Sequence, residues 1–263
     1  MRHPCCGAEA PWNVRVAVYA LHGREQCKAT KRPSLAKRAI GAVSVPSCAA
    51  VSATRKGASV GFYEHWLFPR ILDLSMRNKE ATRLRALVVP DARGATLEVG
   101  IGSGLNLRFY GDRVERLIAV DPSEELLRMA RRKARTTAFP IEFIARPGEE
   151  LPLENNSVDS VVVTFTLCTV ADPLNALREM RRVLKPRGEI LFAEHGLAPD
   201  PGVARWQRRL NPLWRRVAGG CNLDRKIDDL IADAGFRINK LTTEYVKGPR
   251  PMSYVYVGRA SLA

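Results

Sequence analysis

A short apolar run, Ala95 to Leu97, leads into Glu98-Val99-Gly100-Ile101-Gly102-Ser103-Gly104, and an amphipathic stretch follows. Alternate glycines between a strand signal and a helix signal leave little choice of fold. Such a turn lets the backbone bend tightly and lets a ligand come close to it. The spacing excludes the dinucleotide fingerprint G-x-G-x-x-G, because the sixth position counted from Gly100 is Leu105. The acid excludes it too. A carboxylate at a strand end repels a pyrophosphate but accepts hydrogen bonds from an ammonium group. S-adenosylmethionine (SAM) carries an ammonium, a sulfonium and no phosphate, so the loop suits SAM better than NAD.

Beyond the loop the pattern is orderly. The anchors Trp66, Ile71, Leu72, Leu74, Leu84 and Leu87 predict one helix over 62–89. Strands are predicted at 95–99, 117–120, 141–145, 158–165 and 189–193, with a short helix near 105–109. Ser123 reads as the N-cap of a helix reaching about residue 138, with Glu124 and Glu125 in its first turn and Arg131, Arg132 and Lys133 towards its end. Asp172 before Pro173 caps a helix that stops at Lys185-Pro186-Arg187-Gly188. A Trp/Arg-rich helix (203–217), a helix at 225–234 and strands near 236–246 and 253–259 close the chain. Alternating units with continuous apolar strands predict one α/β domain, a doubly wound and mostly parallel sheet with the last two strands as an antiparallel edge.

Asp121 ends the second strand, where doubly wound folds place an acid on ribose hydroxyls; a cap for the following helix is the alternative. Gly148 and Glu149 lie in the loop after the third strand, at the carboxyl ends of the sheet, and are expected to border an adenine; plain turn chemistry is the alternative. His195 follows the fifth strand and is the candidate base on the acceptor side, against a structural histidine bound to backbone. Cys168 sits in an apolar run and reads as core, Cys221 as a pocket wall.

Taken together, Glu98 to Asn106, Asp121-Pro122-Ser123, Gly148-Glu149 and Arg182-Val183-Leu184-Lys185-Pro186 resemble the class I SAM-dependent methyltransferases, in the group that includes quinone-biosynthesis C-methyltransferases. The resemblance runs from about residue 62 to the end. Arg187 stands where that family usually has glycine, and Arg146 where it has glycine or aspartate. The resemblance implies a Rossmann-like seven-stranded sheet over 60–263. It implies cofactor contacts by Glu98, Gly100, Gly102, Ser103, Gly104, Asn106, Asp121, Pro122, Gly148, Glu149, Thr164 and Leu167. A narrower similarity covers Thr164 to Val170, Glu194-His195, Trp206, Pro212, Trp214 and Gly220-Cys221-Asn222-Leu223. These are similar to mammalian methyltransferase-like proteins that methylate small alkyl thiols and associate with membranes.

Composition bounds the partners. The chain has 263 residues and a net charge of +15, and residues 1–59 hold ten Lys/Arg against only Glu9 and Glu25. That basic extension reads as a targeting peptide, a disordered tail, or non-native sequence before a start at Val60. The six cysteines show no C-x-x-C pair and no metal-ligand spacing, which predicts free thiols in a reducing compartment and no metal. Nucleic acid is not expected, since Thr164-Phe165-Thr166-Leu167 stands where base-amino methylation wants Asn/Asp-Pro-Pro-aromatic. The expectation is a cytoplasmic methyltransferase acting on a small molecule, with no obligate protein partner. Helix 203–217 is expected to be a lid over the acceptor pocket that also touches membrane peripherally, a lid with merely solvated arginines being the alternative. Thiol, phospholipid amine and quinone carbon stay open as acceptors, in that order, beside a non-catalytic SAM-binding scaffold.

Overall fold

The computed structural model describes residues 68–263, so the expectations for 1–59 and for the start of the 62–89 helix lie outside the described residues. Residues 62–89 are not one helix. Among the described residues there are two, α1 (Phe68–Ser75) and α2 (Lys79–Val88). Asn78 explains the break: its side chain accepts from the Ala81 N–H at 2.8 Å and starts a new helix.

Two other helix starts follow the sequence closely. Ser123 Oγ accepts from the Leu126 N–H at the head of α3 (Glu124–Lys133). Asp172 Oδ1 accepts from the Asn175 N–H at the head of α4 (Pro173–Val183), whose proline has no N–H to leave unpaired. Downstream lie α5 (Pro201–Val217) and α6 (Ile227–Asp233).

The strands are β1 (Gly94–Val99), β2 (Val114–Val120), β3 (Ile141–Ile144), β4 (Val158–Thr164), β5 (Leu184–His195), β6 (Phe236–Tyr245) and β7 (Tyr254–Leu262). They form one sheet in the order β3-β2-β1-β4-β5-β7-β6. Every pairing from β3 to β5 is parallel, and β7 runs antiparallel to both β5 and β6. The antiparallel end is as expected, but β7 is an interior strand and only β6 is the edge.

Apolar residues on both faces of the central strands explain their continuous runs. Val161 and Val163 of β4 enter a core with Leu177 and Met180 of α4 and Ile227 and Ile231 of α6. Val162, one residue out of phase, faces the other way and packs with Leu84 and Val88 of α2. On that second side α3 seats Leu127 and Ala130 against Leu117 and Ala119 of β2. Strand order reverses between β1 and β4, so the crevice where open α/β sheets take ligands lies at the carboxyl ends of those two strands.

Where β7 threads between its neighbours there is no room for a side chain at Gly258. A Cβ there would sit 2.2 Å from the Lys240 carbonyl oxygen and 2.8 Å from Phe192 Cζ. Backbone cannot step aside as a flexible side chain can. Gly258→Ala should therefore cost about 1–3 kcal/mol in urea unfolding, the usual range for overpacking; an unchanged midpoint would mean that β6 shifts freely.

Candidate active site

The period-two pattern of β1 sends Leu97 and Val99 into the core and turns Glu98 to the opposite face. Glu98 is 1% exposed. Asn106 Nδ2 donates to its Oε1 at 2.8 Å, and the Tyr110 hydroxyl donates to its Oε2 at 2.8 Å. Burial pushes the carboxyl up to about 7, against the pull of those two bonds and of the nearby Arg85. Asn106 also donates to Thr164 Oγ1 at 3.0 Å, and its own Oδ1 is buried without a partner. Asn106 thus joins the ends of β1 and β4.

Gly100 and Gly102 show why the loop needs glycine. Both have positive φ, 75° and 56°. A Cβ on Gly100 would lie 2.1 Å from Thr166 Oγ1, whereas one on Gly102 would meet nothing within 4 Å. The first glycine permits close packing of the loop on the turn after β4, and the second faces open space. Asp121 holds the loop from the β2 side. Its Oδ2 accepts from the Gly102 N–H at 2.9 Å and its Oδ1 from the Ser123 N–H at 2.8 Å. The capping alternative is therefore realised, and the lone pairs left over on the carboxylate are what a ribose could use. Pro122 follows directly.

Ser103 is spoken for. Its hydroxyl donates to Asp73 of α1 and accepts from Lys133 Nζ of α3 at 3.1 Å, so its side chain serves the scaffold. Asp73 is buried and also meets Lys133 at 3.2 Å and Arg77 at 2.5 Å. Burial would raise its pKa, but Ser103, Arg77 and Lys133 together hold it below the ordinary carboxylate value. Sequence reasoning missed this cluster because Asp73 sits in a stretch read as featureless helix.

The remaining expected contacts divide. Gly148 packs close to the end of β1, where a Cβ would come within 2.6 Å of Val99 Cγ1. Glu149 is committed to α4: its Oε1 accepts from the Asp172 N–H at 3.1 Å and its carbonyl from Asn175 Nδ2. Leu167 is wholly buried in the main core, and its N–H is bonded to Glu194, so any part it takes in a cofactor site is by shaping the turn. Arg85 was not foreseen. It is 5% exposed, donates to the Met76 carbonyl at 2.9 Å and lies 5.0 Å from the Phe165 ring centroid. Burial lowers its pKa to about 10. A cation and an anion, Arg85 and Glu98, thus stand together at one end of the crevice.

The exit of β4 is constrained from its other neighbour as well. Glu194 of β5 is fully buried, and its Oε1 accepts from the Thr166 and Leu167 N–H groups at 2.7 and 3.1 Å. Its Oε2 has no partner, and burial pushes the carboxyl up to about 7. Between β4 and this anchor, Phe165 adopts φ 54°, a conformation costly for an aromatic residue, by roughly 1–3 kcal/mol. Past the turn come Cys168 and, at the end of β5, His195. His195 Nε2 lies 2.8 Å from Cys221 Sγ, and Cys168 joins them, each ligand atom within 4.8 Å of the others. Cys168 is buried, as the core reading had it, but it is not merely core. Burial opposes a charged His195, yet contacts with Cys221 and Glu194 outweigh it and raise its pKa.

Helix α5 buries Ala204, Gln207 and Asn211 and leaves Trp206, Leu213 and Val217 exposed. Among the described residues no helix is long and apolar enough to cross a membrane.

A parallel sheet with an inverted last strand, a buried acid at the end of β1 leading into a glycine loop and an acid after β2 define a SAM-dependent methyltransferase. Residues 97–192 match the methyltransferase domain family, and the chain belongs to the SAM-dependent methyltransferases. Among its relatives, human thiol S-methyltransferase TMT1B is 31% identical over 189 residues, covering 70% of this chain and 75% of that protein. Human thiol S-methyltransferase TMT1A is 32% identical, covering 69% and 78%. A SAM-dependent methyltransferase from Thermotoga maritima shares the fold at 21% identity and a TM-score of 0.54, over 75% of this chain and 99% of that one.

The Asp73 cluster gives a direct test of how the loop is held. Asp73→Ala removes the acceptor for Ser103, Lys133 and Arg77 and should cost about 1.5–3 kcal/mol in urea unfolding at pH 7. Because the folded-state pKa of Asp73 is depressed, this stabilisation should be present above its unfolded value near 3.8 and fade as pH falls through the lower folded value. A variant as stable as the parent at pH 7 would show that the loop holds itself.

Proposed function

We propose that the chain transfers a methyl group from SAM to the sulfur of a small thiol. The observation that carries this reading is a histidine beside sulfur near the glycine loop: His195 Nε2 stands 2.8 Å from the protein's own Cys221 Sγ, next to the turn that packs on Gly100. The thiol S-methyltransferase relatives support it. Bound SAM supplies a methyl carbon made electrophilic by its sulfonium.

The chain's own residues bind and align the reactants, and alignment can contribute up to roughly 7–11 kcal/mol. Glu98 receives the ammonium of the amino-acid end, and the adjacent Arg85 receives its carboxylate. The open face at Gly102 admits the ligand against the backbone. Gly100, Gly104 and the Ser103 backbone shape that turn, Asp121 and Pro122 meet the ribose, and Gly148 and Glu149 border the adenine. Asn106 and Thr164 position Glu98. His195 is the acceptor-side catalytic group and assists loss of the thiol proton, since the thiolate is the nucleophile. On its exposed face α5 carries Trp206, Leu213 and Val217 among arginines, and we propose that this face lies on an anionic membrane.

The full chain, given methyl-labelled SAM with alkyl thiols, phosphatidylethanolamine and a demethylquinone, should label a thiol. Label on the lipid or quinone would discard the thiol reading, and SAM binding without turnover would favour a scaffold. Glu98→Gln should weaken SAM binding at least ~10-fold, as expected for a lost charge-assisted hydrogen bond. In the parent, affinity should fall as pH drops below about 7, because only ionised Glu98 pairs with an ammonium; a flat profile from pH 5 to 8 would remove Glu98 from that role. Anionic vesicles at low salt should bind the chain, and Trp206→Ala with Leu213→Ala should weaken that binding; equal binding would assign it elsewhere.

A further inference from the structure

Cys168, His195 and Cys221 come from three separate stretches of chain, and the fold delivers them to one point. Cys168 sits on the turn after β4, His195 ends β5, and Cys221 follows the two positive-φ glycines after α5. Among the described residues this is the one group of three His, Cys, Asp or Glu side chains close enough to share a metal ion.

Each ligand is carried on restrained backbone. The Cys168 carbonyl accepts from the Asn222 N–H at 2.8 Å and from Asn222 Nδ2 at 2.9 Å, which ties the Cys221 segment to the Cys168 turn. Arg225 Nη1 donates to the carbonyls of Leu167 and Val170, on either side of Cys168. His195 is held in the sheet, opposite Val255 of β7. These bonds fix where the three side chains start, not merely that they can meet.

The donor set selects the ion. Two thiolates and an imidazole suit zinc, whose bonds of about 2.3 Å to sulfur and 2.0–2.1 Å to nitrogen place tetrahedral ligands roughly 3.6–3.8 Å apart. The three atoms lie within 4.8 Å of one another, and the His195–Cys221 pair needs to open from 2.8 Å to about 3.6 Å. Two thiolates with one divalent cation are neutral overall, which suits a site whose Cys168 is 2% exposed. With three protein ligands, one of the four tetrahedral positions is open, the arrangement of reactive rather than purely structural zinc. His195 and Cys221 are only partly buried, so that position is reached from their side.

We propose that Cys168, His195 and Cys221 bind zinc and that the open fourth position takes the sulfur of the acceptor thiol. The metal half stands by itself; the acceptor half rests on the thiol reading above. In this arrangement His195 acts as a ligand, and the metal removes the need for a separate base. The acceptor's S–H proton leaves to solvent as its sulfur joins the metal. A sulfur lone pair then forms the S–CH3 bond while the methyl–sulfonium bond breaks, giving a neutral thioether and S-adenosylhomocysteine, with no change in metal oxidation state. A coordinated thiol is deprotonated outright, whereas a free thiol of pKa near 8.5 is thiolate to only about 3% at pH 7. The metal therefore raises the reactive fraction by up to roughly 30-fold.

Cobalt(II) is the probe, since its spectrum reports thiolate ligation and four-coordination. The full chain carrying Cys5→Ser, Cys6→Ser, Cys27→Ser and Cys48→Ser retains only the two site cysteines. Under reducing conditions it should take up one equivalent of cobalt, with a thiolate-to-cobalt charge-transfer band and intense visible bands, and zinc should displace it. Cys168→Ser, Cys221→Ser and His195→Gln should each weaken binding at least ~10-fold while SAM binding persists, which separates loss of the site from failure to fold. No bound equivalent, or a band unchanged in both cysteine variants, would overturn the site, as would conversion of the two thiols to a disulfide in preference to binding metal. Adding an alkyl thiol should strengthen and shift the charge-transfer band; an unaltered spectrum would overturn the acceptor half. Thiol methylation proceeding equally in zinc-loaded and chelator-stripped protein would overturn the metal's role and leave the thiol reading intact. Cobalt binding with no thiol methylated would sink the thiol reading and leave the metal site.

Discussion

A carboxylate buried at the end of the central strand governs this fold's ligand end. Glu98 is too deep to be solvated, and the two hydrogen bonds it receives do not bring its pKa back to the ordinary range. Such a group is tolerable in one of two ways: it takes a proton, or it takes a cation. The two donors at its oxygens favour the ionised form, which the proposed ammonium contact requires. Asn106 and Tyr110 fix its orientation, and Arg85 holds positive charge nearby without pairing with it directly.

The same device recurs across β4. That strand lies between β1 and β5, and each neighbour contributes a buried glutamate raised to about 7. Glu98 reaches β4 through Asn106 and Thr164; Glu194 reaches the next turn through the N–H groups of Thr166 and Leu167. The exit of β4 is thus gripped from both sides, and the strained Phe165 backbone lies between the two grips. Strain of that size persists only where neighbours over-determine the conformation. The Gly100–Thr166 contact and the Cys168 turn therefore lie on one constrained stretch of chain, which joins the glycine loop to the end of β5.

Local signals in the sequence were read well because they act locally. The caps at Ser123 and Asp172, the strand ahead of the glycines and the alternation of elements all depend on neighbours a few residues apart. What escaped depends on pairs far apart. Asp73 and Lys133 meet around Ser103 across about sixty residues, Glu194 serves a turn nearly thirty residues earlier, and Cys221 meets His195 over a similar span. The insertion of β7 inside the sheet is of the same kind, since periodicity states which face a strand buries and not which strand lies beside it. A motif also leaves open which atoms of a residue the scaffold uses. Ser103 has its hydroxyl turned to Asp73, and Glu149 spends its carboxylate on α4, although both stand at the expected turns.

The two ends of the crevice also set different electrostatic conditions. In the proposed reaction a positive methyl donor and an anionic sulfur become two neutral molecules, so a low-dielectric site favours the products once the anion exists. The difficulty lies in forming that anion, because burial disfavours a thiolate as it does any charge. Glu98 and Arg85 carry opposite charges near each other and offer the sulfur no net help. Glu194 is an acid and would repel it. Positive influence is at hand from Arg225, which donates to the carbonyls on either side of Cys168, and in the proposal from the ion that Cys168, His195 and Cys221 would hold; together they set how much of an acceptor thiol can ionise there.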